Sequence, residues 1–199
     1  MELPPIFNRN KKMVATFIAQ IKKYKNIELI IECAKRTADL NIELRIIGRA
    51  SEEYKLELLE LAKGLNNIVF DFRFIPDEEI EYHIRKSDIL IMPYDIKSSM
   101  NSGSIFLTFS NARTVISPRI STLCEFDAHD VYSYVYNTDE EHLNKLFAAL
   151  LEAYDDFINN INEFYIKGLR VYNRVKIFNS CENIKQYYND MFDELSNGI

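Results

Sequence analysis

Three lysines, Lys22, Lys23 and Lys25, crowd the short stretch from Gln20 to Asn26. They stand out because the chain is acidic overall, with 24 Lys+Arg against 30 Asp+Glu. Cationic donors gathered just after an apolar run suit a single anion such as a phosphate, while periodicity alone favours a solvated turn with ordinary surface lysines. A second stretch, Ser102-Gly103-Ser104, opens a run of helical character. Unpaired N–H groups at a helix start attract an anion, glycine lets it approach the backbone, and serine hydroxyls donate to it. Ser102 serves just as well as an ordinary N-cap. Gly48-Arg49 forms a third stretch after the apolar run Leu44–Ile47, where glycine allows a tight turn or the close approach of a ligand. The Gly-Lys-Ser/Thr ending of a Walker A loop is missing, and no Ser-His-Asp order or paired-Cys motif can be assembled.

The other reactive side chains point to packing or solvent. His83 sits in a helical pattern beside Ile80 and Ile84 and is expected to be partly packed. His129 and His142 have no acidic or cysteine neighbours at ligand spacing, so neither a metal nor another cofactor is expected. Cys33, Cys124 and Cys181 are odd in number and scattered, which fits a reducing compartment rather than a disulfide framework. A net charge of −6 argues against a nucleic-acid partner, whose phosphates need a basic excess. Met1–Lys12 lacks the apolar centre of a signal peptide, and no run approaches the about 18 apolar residues that span a bilayer. A cytoplasmic location is therefore expected.

The elements that must position these residues follow from periodicity. With 47 % hydrophobic residues over 199 positions, the chain can build one full core. Short, nearly continuous apolar runs recur at Val14–Ala19, Leu44–Ile47, Ile68–Phe70, Ile89–Met92, Thr114–Ile116 and Val131–Tyr136, as expected for strands buried on both faces. Helical stripes lie between them: Ile27, Ile30, Ile31 and Ala34, then Tyr54, Leu58, Leu61 and Ala62 behind a Ser51 cap. A third helix opens at Pro76 with Asp77, Glu78 and Glu79 in its first turn, matching the macrodipole. Thr138 and Glu141 form a capping box ahead of a core face at Leu143, Leu146, Phe147, Leu150 and Tyr154. After Phe157 more helix is expected, ending in a stripe at Ile184, Tyr187, Tyr188, Met191 and Leu195. Alternating strand and helix predicts an α/β, Rossmann-like, doubly wound parallel sheet of about six strands, with helices on both faces and C-terminal helices. In such a sheet, ligands bind beyond the carboxyl ends of the strands at the switch point, where all three stretches fall.

These loops, in this order, resemble the C-terminal donor-binding domain of GT-B glycosyltransferases of the family-4 type. That family opens the domain with strand-Gly-Arg-x(4)-Lys-Gly, and here Ala19 to Asn26 places Lys25 on its phosphate-binding lysine and Gln20 in place of its arginine. A subgroup reading Gln-Ile-Arg-Pro-Tyr-Lys is closer, with Lys22 at its arginine. Leu44 to Gly48 is similar to the family's Leu-x-Ile-x-Gly strand, and Asn67–Phe70 through Phe74–Ile80 to the segment whose backbone reads the base. Ser87 to Pro93 matches Ala-Asp-x(4)-Pro, and Phe178 to Glu182 resembles the Phe-Ser-Trp that opens the closing helix. The chain departs from the family's Glu-x(7)-Glu, whose positions hold Met100 and Thr108, and from its glycine-proline, replaced by Ala112 and Thr114. A subgroup with Asn-Ser-Gly-Ser in this loop also lacks the first Glu.

The resemblance implies one half of a GT-B fold, with residues 1–12 an interdomain linker remnant and 13–199 a single donor-binding domain. It implies a diphosphate held by Lys25, Lys22, Gln20, Ser102, Gly103 and Ser104, and a base and ribose held by Gly48, Arg49, Phe74, Ile75 and Thr108, without a metal. The implied partners are a nucleotide diphosphate sugar and a missing N-terminal acceptor domain, through which alone a membrane would be met. Such a half binds nucleotide weakly and turns nothing over alone; bacterial surface polysaccharide is the implied setting. Loss of both glutamates leaves a second expectation, a catalytically degenerate nucleotide-binding or interaction module. A receiver-type signalling domain would need an acidic pocket, for which Asp95 and Glu125 are a poor substitute.

Overall fold

The computed structural model describes residues 12–97 and 101–197. Six short strands, β1 (Met13–Ile18), β2 (Ile42–Ile47), β3 (Ile68–Asp71), β4 (Ile89–Ile91), β5 (Val115–Pro118) and β6 (Tyr132–Tyr134), form one sheet in the order β3-β2-β1-β4-β5-β6. Every pairing is parallel; Ala15 of β1 faces Leu44 on one side and Ile89 on the other. All six residues of β1 and all three of β4 are buried, which is why their sequences read as continuous rather than alternating apolar runs. The expected sheet is thus present, with strand ends shifted by a residue or two. The run at Val131–Tyr136 is the most trimmed, because only its middle pairs with β5.

Helices α1 (Ile27–Arg36), α2 (Glu52–Leu61), α3 (Asp77–Arg85) and α4 (Gly103–Ser110) make the crossovers, followed by α5 (Asp139–Asn159), α6 (Ile161–Phe178) and α7 (Cys181–Asn197). Their starts follow local chemistry. The Ser51 hydroxyl accepts from the Tyr54 amide and that of Thr138 from the Glu141 amide. Glu141 reaches back one residue beyond the usual capping box, to the amide of Asn137. α1 packs on α2 and α5, while α4 packs on α6. The strand order reverses beside β1, so a crevice opens above the carboxyl ends of β1 and β4. The expected helix at the end of the chain is present as α7. The α7 stripe at Ile184, Tyr187, Tyr188 and Leu195 is exposed, so it faces solvent rather than the core.

Candidate functional site

The floor of the crevice is a close meeting of two strand ends. Where β2 leaves the sheet, Gly48 donates its amide to the Asp71 carbonyl at 2.9 Å and adopts φ +143°, a conformation that a side chain resists. A Cβ there would lie 1.9 Å from the Ala19 carbonyl oxygen at the end of β1. Glycine is therefore required both by conformation and by space. The Ile21 amide then donates to the Arg49 carbonyl at 2.9 Å, tying the β1–α1 loop to the β2–α2 loop.

Above this floor lies a cavity of about 580 Å³. Gln20, Gly48, Arg49, Phe74, Ile75, Gly103 and Ser104 all line it, so most of the residues expected from the sequence meet in one place. Ile18, Ile47, Ile80, Ile84 and Leu107 supply apolar wall, and Asp77 adds a carboxylate. A mostly apolar cleft with a few polar groups has the character of a small-molecule site. At one end stands the N-terminus of α4. Among the described residues nothing lies within 4 Å of where a Gly103 Cβ would sit, and the Gly103 and Ser104 amides at this helix start have no intrahelical acceptor, which suits an approaching anion.

The other expected residues are placed differently. Lys22 lines an adjoining cavity of about 630 Å³ that shares Gln20 and Arg49 with the first. Lys23, in the same loop, is paired with Glu57 at 2.8 Å. Lys25 lines neither cavity: its ammonium lies 5.9 Å from the Phe17 and Tyr24 ring centres and 5.7 Å from that of Tyr94. Burial, with a smaller contribution from Lys22, pulls its pKa below the ordinary lysine value. Asn26, in left-handed backbone, donates its side-chain amide to the Pro93 carbonyl at 2.9 Å and so fixes this loop against the end of β4. Ser102 acts as the N-cap, its hydroxyl accepting from the Ile105 amide and donating to the Tyr94 hydroxyl at 3.2 Å. Tyr94 thus joins the Lys25 ring cluster to the start of α4.

Thr108 is a correction. It is fully buried, and its hydroxyl donates to the Ser104 carbonyl at 2.7 Å, so it does not reach the cleft. Gly103, Ser104 and Leu107 line the cavity from α4, whereas Thr108, one turn beyond Ser104, is turned onto the helix backbone and buried. Met100 lies outside the described residues. Tyr94, Asn26 and Asp77 were missed by sequence reasoning. In sequence Asp77 reads as a complement to the helix dipole, and the first two act through contacts distant in sequence.

His142 and His83 keep to packing roles, whereas His129 is exposed and pairs with Asp127 at 3.0 Å, which corrects the expectation that it has no acidic neighbour. His142 is buried, stacked 3.9 Å from the Tyr136 ring and within 3.0 Å of the Tyr134 hydroxyl, and burial pushes its pKa down to about 4. His83 is partly covered beside Tyr82, as its helical neighbours predicted. Among the described residues, no helix is long and apolar enough to cross a membrane.

Comparison with known proteins adds what the chain is similar to. The family model for glycosyl transferases group 1 matches residues 2–99. A GDP-mannose:glycolipid 4-beta-D-mannosyltransferase of Xanthomonas campestris pv. campestris is 25% identical over 99 residues, which are 49% of this chain and 28% of that protein. The chain spans less than a third of the length of the curated relatives it matches. Among solved structures, TarM superposes with a TM-score of 0.70 at 16% identity, covering 92% of this chain and 35% of TarM. A C-terminal domain of a group 1 glycosyl transferase, LpcC from Francisella tularensis, gives 0.63 at 19% identity, covering 86% of this chain and 88% of that one. Another structure, of S. aureus TarM, holds UDP among its ligands. At these identities the superpositions establish the fold.

Proposed function

We propose that this chain is a GT-B glycosyltransferase group 1 domain whose crevice binds the nucleoside diphosphate of a nucleotide-sugar donor for transfer of the sugar to an acceptor hydroxyl. The observation that carries this reading is the convergence of Gln20, Gly48, Arg49, Phe74, Ile75, Gly103 and Ser104 on one cavity at the switch point. The base lies against Phe74 and Ile75, and the diphosphate runs toward the Gly103 and Ser104 amides of α4. Lys25 is held close to that helix start through Tyr94 and swings from its ring cluster onto the leaving phosphates. An ammonium already shielded from water interacts more strongly with an arriving anion than one in bulk solvent. Breaking the sugar–phosphate bond builds negative charge on the diphosphate, and these groups are placed to stabilise it.

The acceptor is held by a second domain, a reading supported by the small share of the mannosyltransferase that this chain spans. By itself the domain binds nucleotide weakly and turns nothing over. The relative's glycolipid acceptor favours a role in bacterial surface polysaccharide synthesis, on the cytoplasmic side. A second reading, a degenerate nucleotide-binding module, is favoured by Thr108, which leaves its family position without a group facing the ribose. Calorimetric titration with UDP, GDP and ADP, each against its monophosphate, tests the donor reading. Millimolar or tighter binding that requires the second phosphate supports it, and equal binding of mono- and diphosphates refutes it.

A further inference from the structure

Asp77 is the sole carboxylate lining the 580 Å³ cavity among the described residues, and the donor reading leaves it without a task. It opens α3 directly after Pro76, whose side chain caps nothing. Among the described residues Asp77 has no ion-pair or hydrogen-bond partner, although Glu79, two positions on, is committed to Arg73. Its neighbours on the wall are Phe74, 69% exposed, and Ile75 and Ile80, which together offer flat apolar surface to a heterocyclic base.

An ionised carboxylate only accepts hydrogen bonds, through two oxygens side by side. Guanine presents two adjacent donors, N1–H and the N2 amino group, and satisfies both oxygens at once. Uracil presents one N–H between two carbonyls, whose oxygens the carboxylate repels. Adenine and cytosine each place an amino group beside a ring nitrogen acceptor, which meets the second oxygen lone pair to lone pair. We propose that Asp77 selects the base and that the donor is a guanosine diphosphate sugar. This rests on the donor reading of the cavity and adds the base to it.

Calorimetric titration of the chain with GDP, IDP, UDP and ADP tests the inference, together with Asp77→Asn titrated with GDP and xanthosine diphosphate. Losing one charge-assisted bond predicts about tenfold weaker binding for IDP, which lacks the amino group, and at least as much for UDP and ADP. Asp77→Asn weakens GDP by a similar factor and improves xanthosine diphosphate. The new amide donates to the xanthine C2 carbonyl that the carboxylate rejected, a gain that misfolding cannot produce. Diphosphate binding without a preference for guanine, or an Asp77→Asn profile equal to that of the unaltered chain, overturns the base assignment and leaves the donor reading standing. Failure of every diphosphate to bind overturns both.

Discussion

Replacing Gly48 by alanine tests the geometry on which the cleft depends. The new Cβ meets the Ala19 carbonyl oxygen at 1.9 Å and the carbonyl carbon at 2.9 Å, both backbone atoms at the end of a buried strand. No side-chain rotation relieves this contact, so β1 or β2 must move. Backbone held at φ +143° adds strain, and that strain with the forced displacement sums to about 4 kcal/mol of lost stability. Two other glycines separate the contributions. Gly64 has φ +83° with no described residue near its Cβ position, so Gly64→Ala carries strain alone, about 1–2 kcal/mol. Gly103 has no backbone strain and, among the described residues, no atom near its Cβ position, so Gly103→Ala keeps or raises stability by up to about 1 kcal/mol. Urea unfolding of the three variants with a common m-value gives the ranking directly. A Gly48→Ala chain no less stable than Gly64→Ala would refute the steric argument and the tight floor built on it.

Two further outcomes follow from charge and burial. Lys25→Ala loses about 1.5–3 kcal/mol of diphosphate affinity by calorimetry, whereas a domain that is only a scaffold shows no change. In the unaltered chain that affinity falls as pH rises through the lowered Lys25 pKa, before an ordinary lysine would titrate near about 10.4, and Lys25→Arg flattens the fall. His142, with its pKa down at about 4, stays neutral in the folded chain while the unfolded chain takes up a proton below about 6.5. Its stabilising contribution is therefore full above that pH and is lost as pH falls toward 4, by about 3 kcal/mol, and His142→Phe lessens the slope of stability against pH in that window.

Much of this architecture was legible because local rules and the fold agree. Apolar runs buried on both faces gave the strands, and Ser51 and Thr138 marked helix starts by hydrogen bonds made within a few residues. Three candidate stretches fell at the carboxyl ends of strands, where a parallel sheet brings them together, and residues of two of them, with Gln20 from the third, do share a cavity. What could not be read depends on contacts distant in sequence. The rings around Lys25 come from β1, its own loop and the residue after Pro93, so nothing near Lys25 in sequence announces its burial. Thr108 failed because matching a motif position says nothing of where a hydroxyl goes: it bonds back to the Ser104 carbonyl and is buried. The α7 stripe shows the converse. Amphipathic spacing establishes that a helix has an apolar face without saying what that face meets.

The central claim is that the cavity between the ends of β1, β2 and α4 is the nucleotide site. Backbone amide shift mapping by NMR, with the tightest-binding nucleoside diphosphate added to saturation, tests it most directly. The account predicts the largest shifts at Gln20, Gly48, Ile75, Gly103 and Ser104, with little change at Lys176, Ser180 and Asn183 beside the α6–α7 junction. Shifts centred on that junction, with the first group unmoved, would contradict it.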